Sequence, residues 1–249
     1  MTMRVLGISY QVYKVKNIEK GKVGFLDFMI FKLIFLFVKL ARKLFGGNMI
    51  VNMHYIAALG NPGEEYKNTR HNVGRIALEE FVKKNNFPDW VSDKKLKALS
   101  SEGKIRKDKV FLIEPETFMN KSGLSLQLII TSKKKAEGLI VIHDDLDLPI
   151  GKFKISFNKS SGGHRGVESI IKTIKTEAFT RVRVGISPTT PSGKLKKPKG
   201  EKEVGDFILG EFKKSEIEIL KKISKKVAEA LEMIITEGKE KAMGEFNRS

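Results

Sequence analysis

The 249-residue sequence contains no cysteine. That excludes a thiolate nucleophile, an iron–sulfur cluster, a cysteine zinc site and any disulfide framework, and leaves His with Asp or Glu as the available metal ligands. A reducing, cytoplasmic setting fits. Several signatures are missing too: there is no G-x-x-x-x-G-K-[ST] loop, no G-x-G-x-x-G, no H-E-x-x-H and no G-x-S-x-G. Nucleotide hydrolysis, dinucleotide redox chemistry, zinc peptidase and serine esterase mechanisms all lose support. Negative charge is scarce, with 29 Asp and Glu against 47 Lys and Arg, a formal net charge of +18. Such a surplus points to a polyanionic partner bound by phosphate neutralisation and counterion release, either nucleic acid or an anionic membrane. The bland alternative is a lysine-rich surface that reflects coding bias alone. With 41% hydrophobic and 31% charged residues, the composition is that of an ordinary globular protein.

Residues 1–48 differ from the rest. Residues 25–45 (FLDFMIFKLIFLFVKLARKLF) are almost wholly apolar, interrupted by Asp27, Lys32 and Lys39. At helical spacing Lys32, Lys39, Arg42 and Lys43 fall on one arc, the pattern of a helix lying in a membrane interface with its lysines outward. Spanning is less favoured, because a central Lys at about +3 kcal/mol offsets most of what apolar residues at about −0.5 kcal/mol each provide. No A-x-A cleavage site follows. A third reading is that the segment is not normally translated. Gly46-Gly47 requires G-rich codons one codon before Met49, the position of a bacterial ribosome-binding sequence, which makes Met49, or else Met53, the start. Membrane contact is expected only if residues 1–48 are made, and residues 49–249 are expected to form a single domain.

From residue 53 onward β-type runs alternate with helical patterns, the signature of an α/β layered domain. Strands are predicted at 54–59, 110–114, 139–143, 152–157 and 181–186, and helices at 72–84, 122–132, 166–175 and 215–236. Residues 188–203 (PTTPSGKLKKPKGEKE) lack periodicity and are predicted to be an exposed, mobile basic loop.

Four polar segments sit where strands end, the position at which open α/β sheets bind ligands. The first, GNPGEEYKNTRHN at 60–72, runs into a helix near His71. The positive end of the helix dipole disfavours an imidazolium there and leaves a ring able to accept a proton; Asn61-Pro62-Gly63 by itself is also simply a good turn. The second, VIHDDLD at 141–147, places three carboxylates at the end of an apolar strand. These have three possible tasks: orienting an imidazole, holding a metal or capping backbone amides. Metal is the weaker choice, because adjacent carboxylates on an extended chain diverge to opposite faces. The third, SSGGHRG at 160–166, reads either as backbone amides exposed to an anion beside His164 and Arg165 or as a flexible turn before a helix. The fourth, PETFMNKSG at 115–123, brings the amide of Asn120 between a strand and a helix. Together the four loops suggest one convergent pocket.

Taken together these segments resemble the bacterial peptidyl-tRNA hydrolases. The matching stretches are G-N-P-G-x-x-Y-x-x-T-R-H-N at 60–72, P-x-T-F-M-N-x-S-G at 115–123, H-D-D-L-D-L-P-x-G at 143–151, G-G-H-x-G at 162–166 and R-V-R-V-G-I at 181–186. V-G-D-F-I-L-G at 204–210 and A-M-G-E-F-N at 242–247 resemble the family's closing segments. The resemblance covers about residues 53–247 and implies a twisted mixed β-sheet flanked by helices. It implies hydrolysis of the ester joining peptide to tRNA in molecules that have dropped off the ribosome, with no cofactor and no metal. His71 would be the catalytic base and Asp144 the carboxylate that orients it, while Asn61 and Asn120 would hold the peptide part. Such an ester needs only a positioned water, a base and oxyanion donors. Tyr66 would line the site of the terminal adenosine, and Phe118, Met119, His164, Arg165, Lys154 and Arg183 would contact substrate or tRNA.

Two positions depart from the family pattern. Arg165 stands where the family usually has Asn after G-G-H, replacing an amide contact by a cation. Ser156 stands where the family places a basic residue for the terminal phosphate, leaving Lys152, Lys154 and Lys159 as substitutes beside Arg183. The basic surplus then has a partner in the acceptor and T-stem phosphates, read by shape rather than sequence, with Lys194, Lys196, Lys197 and Lys199 as an extension. Lys221, Lys222, Lys225 and Lys226 read instead as the solvated face of an amphipathic C-terminal helix. A monomer without a protein partner is expected. The alternative function is a non-catalytic RNA-binding relative, against which the intact Asn61, His71, Asn120 and Asp144 argue.

Overall fold

The computed structural model describes residues 2–5, 8–11 and 52–248. The chain divides into two compact units, residues 1–50 and residues 51–249. In the first, β1 (Thr2–Val5) and β2 (Ile8–Gln11) pair antiparallel, with Thr2 opposite Gln11 and Val5 opposite Ile8. The apolar segment at 25–45 and the start at Met49 lie outside the described residues.

The second unit is built on seven strands: β3 (Met53–Ala58), β4 (Val91–Asp93), β5 (Ala98–Ile105), β6 (Asp108–Pro115), β7 (Leu139–Pro149), β8 (Phe153–Phe157) and β9 (Thr180–Ser187). They are ordered β4-β5-β6-β3-β7-β9-β8. The four central strands, β6-β3-β7-β9, run parallel, and β4, β5 and β8 are antiparallel at the flanks. The expected mixed sheet is present. Its helices are α1 (Val73–Lys84), α2 (Lys133–Glu137), α3 (Arg165–Ile174), α4 (Glu201–Leu209), α5 (Lys214–Glu237) and α6 (Lys239–Phe246). Among the described residues no helix is long and apolar enough to cross a membrane.

Three of the parallel strands, β3, β6 and β7, carry near-continuous apolar runs because both of their faces are covered, whereas β9 is interrupted by Arg181 and Arg183. Along β3, Ile56 and Ala58 join one core with Val73, Ala77, Leu78 and Phe81 of α1 and Leu220, Val227 and Leu231 of α5. Tyr55 and Ala57 point the other way, into a second core with Met119, Leu126 and the α3 residues Val167 and Ile170. Period-two alternation on one strand thus serves two helical layers. The chain leaves β3 toward α1 on one face of the sheet and leaves β6 toward Met119 and Leu126 on the other, so the two part at the carboxyl ends of neighbouring strands and open a crevice there.

Two sequence expectations need correction, and strands β4 and β5 and helix α6 were not predicted. Residues 122–132 do not form an α-helix: Met119–Ser125 is a 3-10 stretch, followed by turns, and α-helix resumes only at Lys133. Serine hydroxyls compete with the helical ladder here, Ser122 donating to the Met119 carbonyl at 2.9 Å and Ser125 to the Lys97 carbonyl at 3.0 Å. The predicted loop at 188–203 ends early, because α4 begins at Glu201 with Glu201 and Glu203 in its first turn, where the dipole favours acids. Strands β4 and β5 were hidden by their polar, half-exposed sequence. α6 is too short for a periodic signal, and Asn247 after it clips the chain end to β8 through paired bonds with the Ile155 backbone at 2.8 and 2.9 Å.

Gly74 sets the distance between α1 and the sheet. A Cβ there would lie 2.5 Å from the Ile142 carbonyl oxygen and 2.7 Å from that of Leu59, both backbone atoms that cannot swing away. Gly74→Ala is therefore expected to push α1 off the sheet and lower stability by about 1–3 kcal/mol, the usual cost of overpacking. Thermal unfolding measures this, and an unchanged or raised Tm would contradict the close approach.

Candidate active site

The crevice beside β3 is a cavity of about 800 Å³, lined among others by Asn61, His71, Phe118, Asn120, Asp144 and His164. Residues from all four loops singled out in the sequence meet there. His71 lies in a 3-10 turn, Arg70–Asn72, which leads directly into α1. Arg70 anchors that turn from below: its guanidinium donates to the carbonyls of Gly210 and Glu211, pairs with Glu216 at 2.9 Å and lies over the Phe207 ring at 4.6 Å. Four partners hold the residue next to His71, so the imidazole is presented by a rigid turn.

Asp144 is the hub. Its Oδ1 is 2.8 Å from His71 Nδ1 and 2.8 Å from His164 Nε2. The His164 tautomer follows from its other nitrogen, because Nδ1 accepts from the backbone amides of Gly166 at 3.1 Å and Val167 at 3.3 Å. The proton of a neutral ring must then sit on Nε2 and point at Asp144. With Asp144 ionised, His71 likewise donates from Nδ1, which leaves its Nε2 lone pair for the cavity. Burial works to raise the Asp144 carboxyl, but the two imidazoles, by charge and hydrogen bond, outweigh it and hold the group well below the usual carboxylate range. His143 packs edge-on against His164 at 4.7 Å and donates to the Asp144 carbonyl at 2.7 Å. Burial, then the neighbouring His164, keeps His143 far below its ordinary value and hence uncharged.

His71, Asp144 and His164 also have the composition of a metal site, with ligand atoms within 4.8 Å of one another. The hydrogen bonding argues for a different use. A metal ligand needs a lone pair, and the amides of Gly166 and Val167 force a proton onto the His164 nitrogen that faces the group.

The amide side chains form the opposite wall. Asn61 is gripped through its backbone by Asn72, which accepts from Asn61 N at 2.8 Å and donates to Asn61 O at 2.9 Å. Its Oδ1 accepts from the Met119 amide at 2.9 Å. That network assigns oxygen and nitrogen, so the Asn61 Nδ2 donors remain for a ligand. Phe118, 59% exposed, and Asn120 project from the adjoining 3-10 stretch.

Other expected residues are placed differently. The anion site read into the start of α3 is not formed, because His164 Nδ1 already takes the Gly166 and Val167 amides as an N-cap. Tyr66 sits half-buried in the turn Glu64–Tyr66 and is not among the residues lining the cavity. Lys154 and Arg183 face each other across β8 and β9, also outside the lining, and Arg183 is paired with Asp145 at 2.6 Å. Asp144 and Asp145 indeed serve different partners, as divergence along a strand requires. Arg165 lies at the cavity rim in an ion pair with Glu201, and Lys197 pairs there with Asp147. Sequence reading missed Asn72, Arg70 and the tie from His164 to Asp144. The signal for Asn72 was its adjacency to His71; the other two depend on contacts spanning 146 and 20 residues.

The comparisons with known proteins agree with this geometry. A profile of the peptidyl-tRNA hydrolases matches residues 55–249. The peptidyl-tRNA hydrolase of Carboxydothermus hydrogenoformans is 41% identical over 197 residues, covering 79% of this chain and 99% of that protein. Its counterpart in Thermoanaerobacter sp. strain X514 is 41% identical over 196 residues, covering 78% of this chain and 100% of the relative. The crystal structure of peptidyl-tRNA hydrolase from Acinetobacter baumannii matches with a TM-score of 0.70 at 28% identity, covering 81% of this chain and 97% of that one.

Proposed function

The chain belongs to the peptidyl-tRNA hydrolase family and hydrolyses peptidyl-tRNA, and from that premise we propose that His71 is the base that activates the attacking water. The observation that carries this reading is the 2.8 Å contact between His71 Nδ1 and the buried Asp144 carboxylate at the cavity wall. The His71 Nε2 lone pair takes a proton from water as the oxygen attacks the ester carbonyl. Asp144 stabilises the imidazolium that forms, without taking its proton. The Nδ2 donors of Asn61 and Asn120 meet the oxyanion and the peptide backbone. As the carbonyl re-forms, the ester bond to the ribose breaks, and the leaving hydroxyl takes the proton back from His71.

Substrate contacts follow from the rim. Phe118 offers an exposed ring for stacking, worth about 1–3 kcal/mol per base. Arg165 and Lys197 are the cations beside the cavity, and we assign them to phosphate oxygens, exchanging their carboxylate partners for the substrate. Lys154 and Arg183 extend the basic track along β8 and β9 toward the acceptor and T-stem phosphates. The chain acts as a cytoplasmic monomer in this reading. A non-catalytic RNA-binding role is not favoured, because the base, its carboxylate and both amides share one cavity.

Incubating the purified protein with N-blocked aminoacyl-tRNA is expected to release the blocked amino acid and free tRNA at the same rate with and without chelator. Loss of activity on chelation, restored by a divalent ion, would overturn the metal-free scheme.

A further inference from the structure

The first turn of α1, directly after the 3-10 turn that bears the base, carries a further, mostly buried cation. Arg75 lies one turn beyond His71 and three residues beyond Asn72. Its Nη2 donates to the Pro115 carbonyl, and its Nη1 meets Glu116 Oε1 at 3.1 Å and lies 3.8 Å from Glu114. The stem passes across Gly60: a Cβ on residue 60 would lie 2.9 Å from Arg75 Cδ and Nε. The side chain, only 15% exposed, is thus wedged between the residue before Asn61 and the residue that opens the 115–123 segment bearing Asn120. The other tie between these segments is the bond from the Met119 amide to Asn61 Oδ1.

We propose that Arg75 is a positioning residue for the hydrolysis, fixing the 115–123 segment against the 60–72 segment so that the amides of Asn61 and Asn120 face one substrate. A planar guanidinium suits the position because separate nitrogens reach the two sides, Nη2 the Pro115 carbonyl and Nη1 the carboxylates, whereas a lysine ammonium gathers its donors on one atom. Glu114 shows how closely the surroundings depend on that cation. Burial, helped by Glu79 and Glu116, raises its carboxyl to about 7 while Arg75 alone opposes the rise. Because α1 with Arg75 follows directly on the 3-10 turn holding His71 and Asn72, the base and the clamps on both amide-bearing segments are set by one continuous stretch of chain.

The inference rests on the reading of Asn61 and Asn120 as substrate-facing amides, so N61A and N120A are measured beside the Arg75 variants, all on N-blocked aminoacyl-tRNA. R75A is expected to lower kcat by about tenfold to a hundredfold, the scale of a small misplacement of catalytic groups, with KM within about twofold. R75K should fall between wild type and R75A. Guanidinium ion at millimolar concentration should restore part of the R75A rate and none of the N120A rate. A role in stability alone would lower the Tm of R75A and leave kcat per folded molecule unchanged, which overturns the proposal. Should R75A fail to fold, R75K decides: wild-type kcat in the lysine variant also overturns it. If N61A and N120A lose kcat while R75A does not, the Arg75 assignment falls alone. If N61A and N120A keep theirs, the reading beneath it falls.

Discussion

Replacing His71 by alanine is expected to lower kcat on N-blocked aminoacyl-tRNA by about 10²–10⁴-fold with little change in KM. The range corresponds to about 3–5 kcal/mol of transition-state stabilisation. The base acts only once charge develops, so its loss should fall on the chemical step rather than on substrate binding. The variant should fold, because the turn around residue 71 is held by Arg70 through Gly210, Glu211 and Glu216 and by Asn72 through Asn61, none of which uses the imidazole. Single-turnover kinetics with a binding titration separate the two quantities. Near-normal turnover in a folded His71→Ala protein would remove His71 from the role of base.

The second large effect is expected at Asp144. In Asp144→Asn one neutral amide oxygen faces two imidazole donors that now share one ionised oxygen. The amide oxygen can accept from both rings only as a weaker, neutral acceptor, and the imidazolium formed during reaction loses its counter-charge. By the logic of hydrolytic triads kcat should fall by about 10²–10⁴ with tRNA affinity retained. A large loss of affinity instead would make Asp144 a binding residue. The pH dependence has a definite sign. The folded carboxyl lies below its unfolded value of about 4, so its contribution to stability is present above that value and is lost as the pH falls through the lower, folded one. The stability gap between wild type and Asp144→Asn should narrow as the pH falls below about 4 toward the folded value. An acid limb in the rate profile above about pH 5 would then not belong to Asp144.

Much of the site was legible in the sequence because three of the four polar segments follow an unmistakable apolar run, in β3, β6 and β7. The runs at 54–59 and 139–143 have both faces buried; the loop after the first holds Asn61 and leads to His71, and Asp144 follows the second within β7, which continues to Pro149. Burial on one face hid β5, where Ser100, Ser101 and Glu102 break the apolar pattern. The resemblance named the residues but not their wiring. His164 looked like a cation beside open helix amides, whereas its Nδ1 caps those amides and its Nε2 serves Asp144. That arrangement depends on bringing positions 71, 144 and 164 together, which no local pattern encodes. Arg75 was silent for the same reason, since its contacts lie at Gly60 and 40 residues downstream at Pro115.

Gly74 links the chemistry to the endurance of the whole molecule. The backbone that its missing Cβ would strike belongs to Leu59, just past β3, and to Ile142 of β7, each two residues before Asn61 and Asp144 respectively. The spacing between His71 and its carboxylate is therefore inherited from the most deeply buried part of the sheet. On slow heating, hydrolytic activity and the global cooperative transition should vanish together, with no earlier phase of inactivation.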